Sequence, residues 1–129
     1  MAAVLAVGED AALSHASAAY SYGLRKSPAE RVEILVPHAR RVRPPNGIRV
    51  QRCRGLAERI DEQAMPARTT VEHTVLDLAA EGTADEAVAL AALACQRGLT
   101  WDERLLEVLE ARRRHRWTPF VARGAARYR

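Results

Sequence analysis

Lysine is almost missing from this chain. Nineteen of its twenty basic residues are arginine and only Lys26 is lysine. GC-rich coding produces such a bias by itself, so the modest net charge of +4 does not establish an anionic partner. Aromatic residues make up 5% of the chain, which excludes an aromatic core and leaves aliphatic side chains and alanine to pack the interior. Cysteine is limited to Cys53 and Cys95. Neither stands in a CxxC pair or near a histidine at metal spacing, so both are expected as free thiols in a reducing compartment. The longest apolar run, Ala87–Cys95, is about half of what a membrane-spanning helix needs. Met1–Val7 has no positive flank and no cleavage pattern. The expectation is a soluble, cytoplasmic protein with no membrane partner.

Catalytic signatures are also lacking. His15, His38, His73 and His115 are scattered without the i, i+4 spacing of a helical zinc site. No glycine-rich phosphate loop is present, and Lys26 has no acids placed for a magnesium-dependent nuclease strand. Ser14 and His15 are adjacent, a spacing that does not make two helical side chains face each other. Ser14 is expected as a helix cap, His73 on a helix flank, His38 on the surface among arginines, and Asp77 facing solvent. These readings point to a non-enzyme with no catalytic residue, no metal, no cofactor and no evident small-molecule substrate. An enzyme would require a deep pocket where His15 or His73 converges with a carboxylate.

What the chain does contain is punctuation. Thr69 and Glu72 have capping-box spacing; Val71, Val75, Leu78 and Ala79 follow on one helical face, and Gly82 is placed to end the helix in a left-handed conformation. Thr83 and Glu86 open a second helix closed by Gly98, and Thr100 and Glu103 open a third. Each cap is worth roughly 0.5–2 kcal/mol. The second helix, Ala84–Arg97, is apolar around most of its circumference and is expected to be buried. The third, Trp101–Arg112, is amphipathic, with Trp101, Leu105, Val108 and Leu109 on one side. Upstream, Ser14 caps a short helix at His15–Tyr22. Val32–Val36 and Ile48–Cys53 read as strands, with Val32, Ile34, Val36, Ile48 and Val50 inward. Pro44-Pro45-Asn46-Gly47 reads as the turn of an antiparallel hairpin. One or two short strands are expected over Ile60–Pro66. The fold class is therefore α+β: a small antiparallel sheet with a basic hairpin, preceded by a short helix and followed by three packed helices on one face. It forms one domain over 1–114, with a basic tail over 115–129 and Met1–Gly8 as the remnant of an upstream helix.

Charge is segregated. From Arg25 to Arg59 ten bases face three acids; from Asp61 to Glu110 three arginines face eleven acids; from Arg112 onward there are seven arginines and no acid. The basic hairpin is the natural docking platform for nucleic acid or an acidic protein surface, with Arg40, Arg41, Arg43, Arg49, Arg52 and Arg54 as contacts and Arg112, Arg113, Arg114 and Arg116 as further candidates. The bland alternative is that basic and acidic halves neutralise each other within the fold. Six phosphate contacts on duplex DNA would give a log-affinity against log-salt slope of about −5. Aromatic interleaving for single-strand stacking is absent there.

Several segments, in order, resemble the region after the DNA-binding head in AbiEi-like antitoxins of bacterial type IV toxin–antitoxin systems, common in actinobacteria. They are Leu13-Ser14-His15-Ala16-Ser17-Ala18-Ala19 with Gly23-Leu24, the strand Val32–Pro37 with the run His38–Arg43, Ile48–Arg52, Ala67-Arg68-Thr69 leading to Val75-Leu76-Asp77-Leu78-Ala79, and Glu86–Leu99 ending in Gln96-Arg97-Gly98-Leu99. The likeness spans about Leu13 to Arg114. It implies an antitoxin or transcriptional regulator whose partners are a cognate toxin protein, of the nucleotidyltransferase-like kind, and DNA. A related group carries this region ahead of a Vsr-like endonuclease domain, so a remnant of such a protein lacking its catalytic domain is the alternative. Neither the family's winged head nor the nuclease has a counterpart in these residues, beyond the expected last helix of the head at Met1–Val7. No catalytic residue carries over.

Overall fold

The computed structural model describes residues 2–116, and the side chains of residues 3–113. The element order is α1 (Ala2–Val7), β1 (Ala12–Leu13), α2 (His15–Ser21), β2 (Val32–Pro37), β3 (Ile48–Cys53), a 3-10 turn (Leu56–Glu58), β4 (Ile60–Asp61), β5 (Arg68–Thr69), α3 (Val71–Glu81), α4 (Ala84–Gln96) and α5 (Asp102–Arg116). The strands form one mixed sheet in the order β3-β2-β1-β5-β4. No helix among the described residues is long and apolar enough to cross a membrane.

The sheet corrects the antiparallel expectation. β2 and β3 run parallel, Val32 opposite Ile48 through Pro37 opposite Cys53. β1 and β5 are also parallel, while β1–β2 and β4–β5 are antiparallel. Pro44–Gly47 is therefore not a hairpin turn. Residues 38–47 carry the chain back along β2, and its end is fixed where the Val32 amide donates to the Gly47 carbonyl at 3.0 Å. Returning along a six-residue strand needs about 20 Å, and ten extended residues reach about 30 Å, so no helix is required in the crossover. Both faces of β2 are covered, as parallel strands demand. Ile34 and Val36 are 0% exposed on one face, in a cluster with Val4, Val7 and Leu13 that Val32, Val42, Ile48 and Val50 extend. Leu35 buries on the other face with Cys53 and Leu56. Helices thus lie on both sides of the sheet: α1 covers the Ile34 side, and α3 and α5 stand over the Leu35 side.

α1 is held by Arg40, whose guanidinium donates to the Val7 carbonyl and the Asp10 carboxylate. The approach needs glycine at position 8, where φ is +138° and an added Cβ would lie 2.7 Å from the Arg40 nitrogens. A second core joins Ala19 and Leu24 to Val71, Val75 and Ala94 of α3 and α4. The all-round apolar pattern of α4 does not mean burial. Only Ala94 is buried along it, and Val88 is 69% exposed. Alanine supplies helix propensity there, and one stripe with Leu90, Ala91 and Leu93 makes the contact.

The caps fall partly where expected. Thr83 accepts the Glu86 amide at 3.1 Å. For α3 the cap is Thr70, one residue later than the box predicted, accepting the His73 amide at 3.2 Å. Thr69 belongs to β5 and is fully buried, with its hydroxyl 2.7 Å from that of Thr74. Thr70→Ala is expected to lower stability by about 1 kcal/mol, read as a shifted denaturant midpoint at unchanged slope. Gly82 ends α3 in an extended conformation, φ −109°, not a left-handed one. Gly98 does turn left-handed at φ +72°, with the Leu99 amide reaching the Ala94 carbonyl at 3.0 Å. Thr100 stands two residues ahead of α5 with its hydroxyl buried, so it does not cap.

Candidate functional site

The Leu35 face of the sheet does not close completely against the helices. A cleft of about 940 Å³ remains, lined from the sheet by Leu35, Gln51, Arg52 and Cys53, from the turn after β3 by Arg54, Gly55, Glu58 and Arg59, and from the helices by His15, His73, Asp77 and Arg112. It opens beside His38, where β2 and β3 both end. The carboxyl ends of parallel strands are where open α/β sheets place ligands, because the chain leaves in diverging directions there.

Asp77 is the charge centre. It is 6% exposed. Its Oδ1 accepts from Arg112 Nη2 at 2.9 Å, and Arg59 Nη1 lies 3.9 Å away. The two arginine side chains are themselves only 12% and 11% exposed. Asp77 Oδ2 is buried and has no hydrogen-bond partner among the described residues. Arg112 also donates through Nη1 to the His73 carbonyl at 3.4 Å and contacts His73 Nδ1 at 3.3 Å. Burial, followed by Arg112, Arg59 and Arg104, drives the His73 pKa down to about 3. The imidazole is therefore neutral, and a guanidinium at Nδ1 leaves its proton on Nε2. At the mouth, Arg54 above all, then burial and Arg52, lower the pKa of exposed His38.

His15 lies on the same cleft by a different route. It is 7% exposed and begins α2 with φ at +49°, left-handed for a residue with a side chain. Its Nδ1 lies 2.8 Å from Ser14 Oγ, and its Nε2 lies 3.4 Å from Glu81. The unusual φ is what lets adjacent side chains meet, against the sequence expectation. Ser14 begins the helix but makes no side-chain cap bond, and at 1% exposure its hydroxyl has no room to attack a substrate.

The proposed platform of arginines is broken up. Arg40 is spent on α1. Arg49 points to the face opposite Val50 and pairs with Glu33 at 3.1 Å and, more loosely, with Glu81 at 3.9 Å. Arg41 and Arg43 are exposed on either side of Val42, which docks on the Ile34 side. Arg52 and Arg54 are exposed where β3 ends; Arg52 shares the Val50 face of the strand and turns round its end to the cleft mouth, where its Nη1 donates to the His38 carbonyl at 3.3 Å. Arg113 pairs with Glu110. Arg112 joins the cleft, and the side chains of Arg114 and Arg116 lie outside the described ones. Six charged or histidine residues of the lining were not among the expected contacts: His15, His38, Glu58, Arg59, His73 and Asp77. The last two are four apart on α3, a spacing that places them on one face. That was the available signal.

Among the described residues, no three His, Cys, Asp or Glu side chains gather to hold a metal ion. Compared with protein-family models and with curated proteins, the chain matches none.

Proposed function

We propose that this chain is a non-enzymatic regulatory or interaction domain, of the kind the AbiEi-like resemblance implies, which engages an anionic partner through exposed arginines. The observation that carries it is the pair Arg52 and Arg54. Both are exposed at the cleft mouth and neither pairs with a carboxylate among the described residues. Guanidinium groups so placed offer planar, forked donors to phosphate or carboxylate. The non-enzymatic part is supported by how the reactive side chains are used. Asp77 and His73 are engaged by Arg112, and Ser14 is enclosed. A pocket with His15, His73 and Asp77 on it is there, but Asp77 and His73 are clamped by Arg112, and the one serine–histidine contact, Ser14 with His15, has its hydroxyl enclosed at 1% exposure.

The partner is a toxin protein or DNA, and salt dependence separates a broad platform from this narrower one. Arg41 and Arg43 flank Val42, which docks on the Ile34 side, and neither lines the cleft, so a duplex is expected to meet one arginine pair at a time. Fluorescence anisotropy with duplex DNA across a salt series is expected to give a slope of about −2, not the −5 of a continuous hairpin platform. Arg52→Ala/Arg54→Ala should weaken the signal well below that of Arg41→Ala/Arg43→Ala, and co-purification with the neighbouring gene product should fail in the same variant. Unchanged binding in that variant by both assays would refute the reading.

A further inference from the structure

The cleft behind Arg52 and Arg54 offers more than surface recognition needs. A rigid duplex reaches only its mouth, because Arg59 and Arg112 are recessed at 11% and 12% side-chain exposure. Its volume of about 940 Å³ falls within the range of small-molecule sites. Arginines converge on it from three separate stretches of chain: Arg52 and Arg54 at the end of β3, Arg59 after the 3-10 turn, and Arg112 on α5. Against four guanidinium groups stand two carboxylates, Glu58 and Asp77. Asp77 is more than nine-tenths buried, is shared by two arginines through Oδ1, and has at Oδ2 an acceptor that receives no donor from the described residues. The wall therefore presents excess positive charge, while Asp77 Oδ2 lies sealed behind it without a donor.

We propose that this cleft is a binding site for a small phosphorylated molecule, whose terminal phosphate sits between Arg52, Arg54 and the recessed Arg59. This deepens the reading above and rests on it, since the same mouth arginines are used and the ligand class is now named. Phosphate is the fitting anion because a terminal phosphoryl group brings close to two charges and three acceptor oxygens, which guanidinium forks bind two at a time. The neutral imidazole of His73 adds an N–H donor without adding charge. An aromatic clamp for a base is not among the lining residues, so the phosphate and its polar neighbours carry the selectivity.

Isothermal titration of the full chain with inorganic pyrophosphate, ADP and adenosine tests it. Pyrophosphate and ADP are expected to bind saturably, and adenosine not at all. Arg54→Ala and Arg52→Ala should each weaken pyrophosphate binding by about tenfold, and the pair by more. Arg41→Ala/Arg43→Ala, at positions that do not line the cleft, should leave it unchanged. All four substitutions are at exposed positions, so an unaltered unfolding curve confirms that each variant is folded. Absence of pyrophosphate and ADP binding overturns the site, as does binding that ignores Arg52 and Arg54. If duplex DNA or the toxin protein binds through Arg52 and Arg54 while pyrophosphate does not, the recognition reading stands and the small-molecule site falls.

Discussion

Replacing Asp77 with alanine is expected to cost about 3–5 kcal/mol of stability, the range seen when one member of a buried ion pair is removed. Arg112 and Arg59 would then be left adjacent, both nearly enclosed, without the carboxylate that lies between them. For a domain of this size the midpoint of thermal unfolding should fall by about 10–20 °C. Asp77→Asn keeps the shape and an acceptor but not the charge, so its cost should lie between wild type and alanine. The pairing can be isolated with Arg112→Met, an apolar side chain of similar length. Removing both partners leaves no orphan charge on that axis, and Asp77→Ala/Arg112→Met should be closer to wild type than the sum of its singles by about 2 kcal/mol. Denaturant titration of the four proteins gives that number. Additive singles, or an alanine variant within about 1 kcal/mol of wild type, would mean that Asp77 does not hold α3 to α5 through its charge.

The weight carried by Asp77 shows where the sequence stops being informative. A carboxylate on an amphipathic helix reads as solvent-facing until its neighbours in space are known. Here both partners come from distant segments, Arg59 from the turn after β3 and Arg112 from α5. The segregated charge was legible as two halves, basic and acidic. Part of it is spent in bringing them together: Arg59 meets Asp77, and Arg49 meets Glu81. The bland alternative therefore accounts for Arg49 and Arg59, and for Arg40 through Asp10 at the amino end, while Arg41, Arg43, Arg52 and Arg54 remain exposed. Local signals fared better than long-range ones. The alternation of Val32, Ile34 and Val36 gave the correct inward face, as did Ile48 and Val50. Alternation repeats identically in parallel and antiparallel pairs, so it could not reveal that β3 runs alongside β2 in the same sense. β1 and β5, with two residues each, are too short for any periodicity. The one-residue error in the α3 cap has a similar origin. Thr69 and Thr70 are chemically equal candidates, and only the pairing of β5 with β1 and β4 commits Thr69 to the sheet.

His73 should make the protein acid-sensitive in a defined window. In the unfolded chain its imidazole takes up a proton near the ordinary value of about 6.5, whereas in the fold burial and the arginines around it hold the pKa near 3. Above pH 6.5 the side chain is neutral in both states and contributes no pH dependence. Between 6.5 and 3 the unfolded state binds the extra proton, so stability falls as the pH is lowered and recovers as it is raised. Two units of acidification, from 6.5 to 4.5, correspond to about 2–3 kcal/mol at the limiting slope. His73→Gln removes the titrating group while keeping a polar side chain against Arg112. The stability difference between pH 7 and pH 4.5 should therefore be smaller in the variant by about 2 kcal/mol, whatever the other carboxylates contribute to both proteins. Denaturant curves at the two pH values supply the comparison, and an identical pH dependence would show that Arg112 and the cleft wall do not keep the imidazole neutral. A phosphate bound beside Arg54 and Arg59 adds negative charge near this ring and favours its protonated form. Saturating pyrophosphate is accordingly expected to move the His73 titration upward and to reduce the acid sensitivity of the wild type, and Arg52→Ala/Arg54→Ala to cancel that effect.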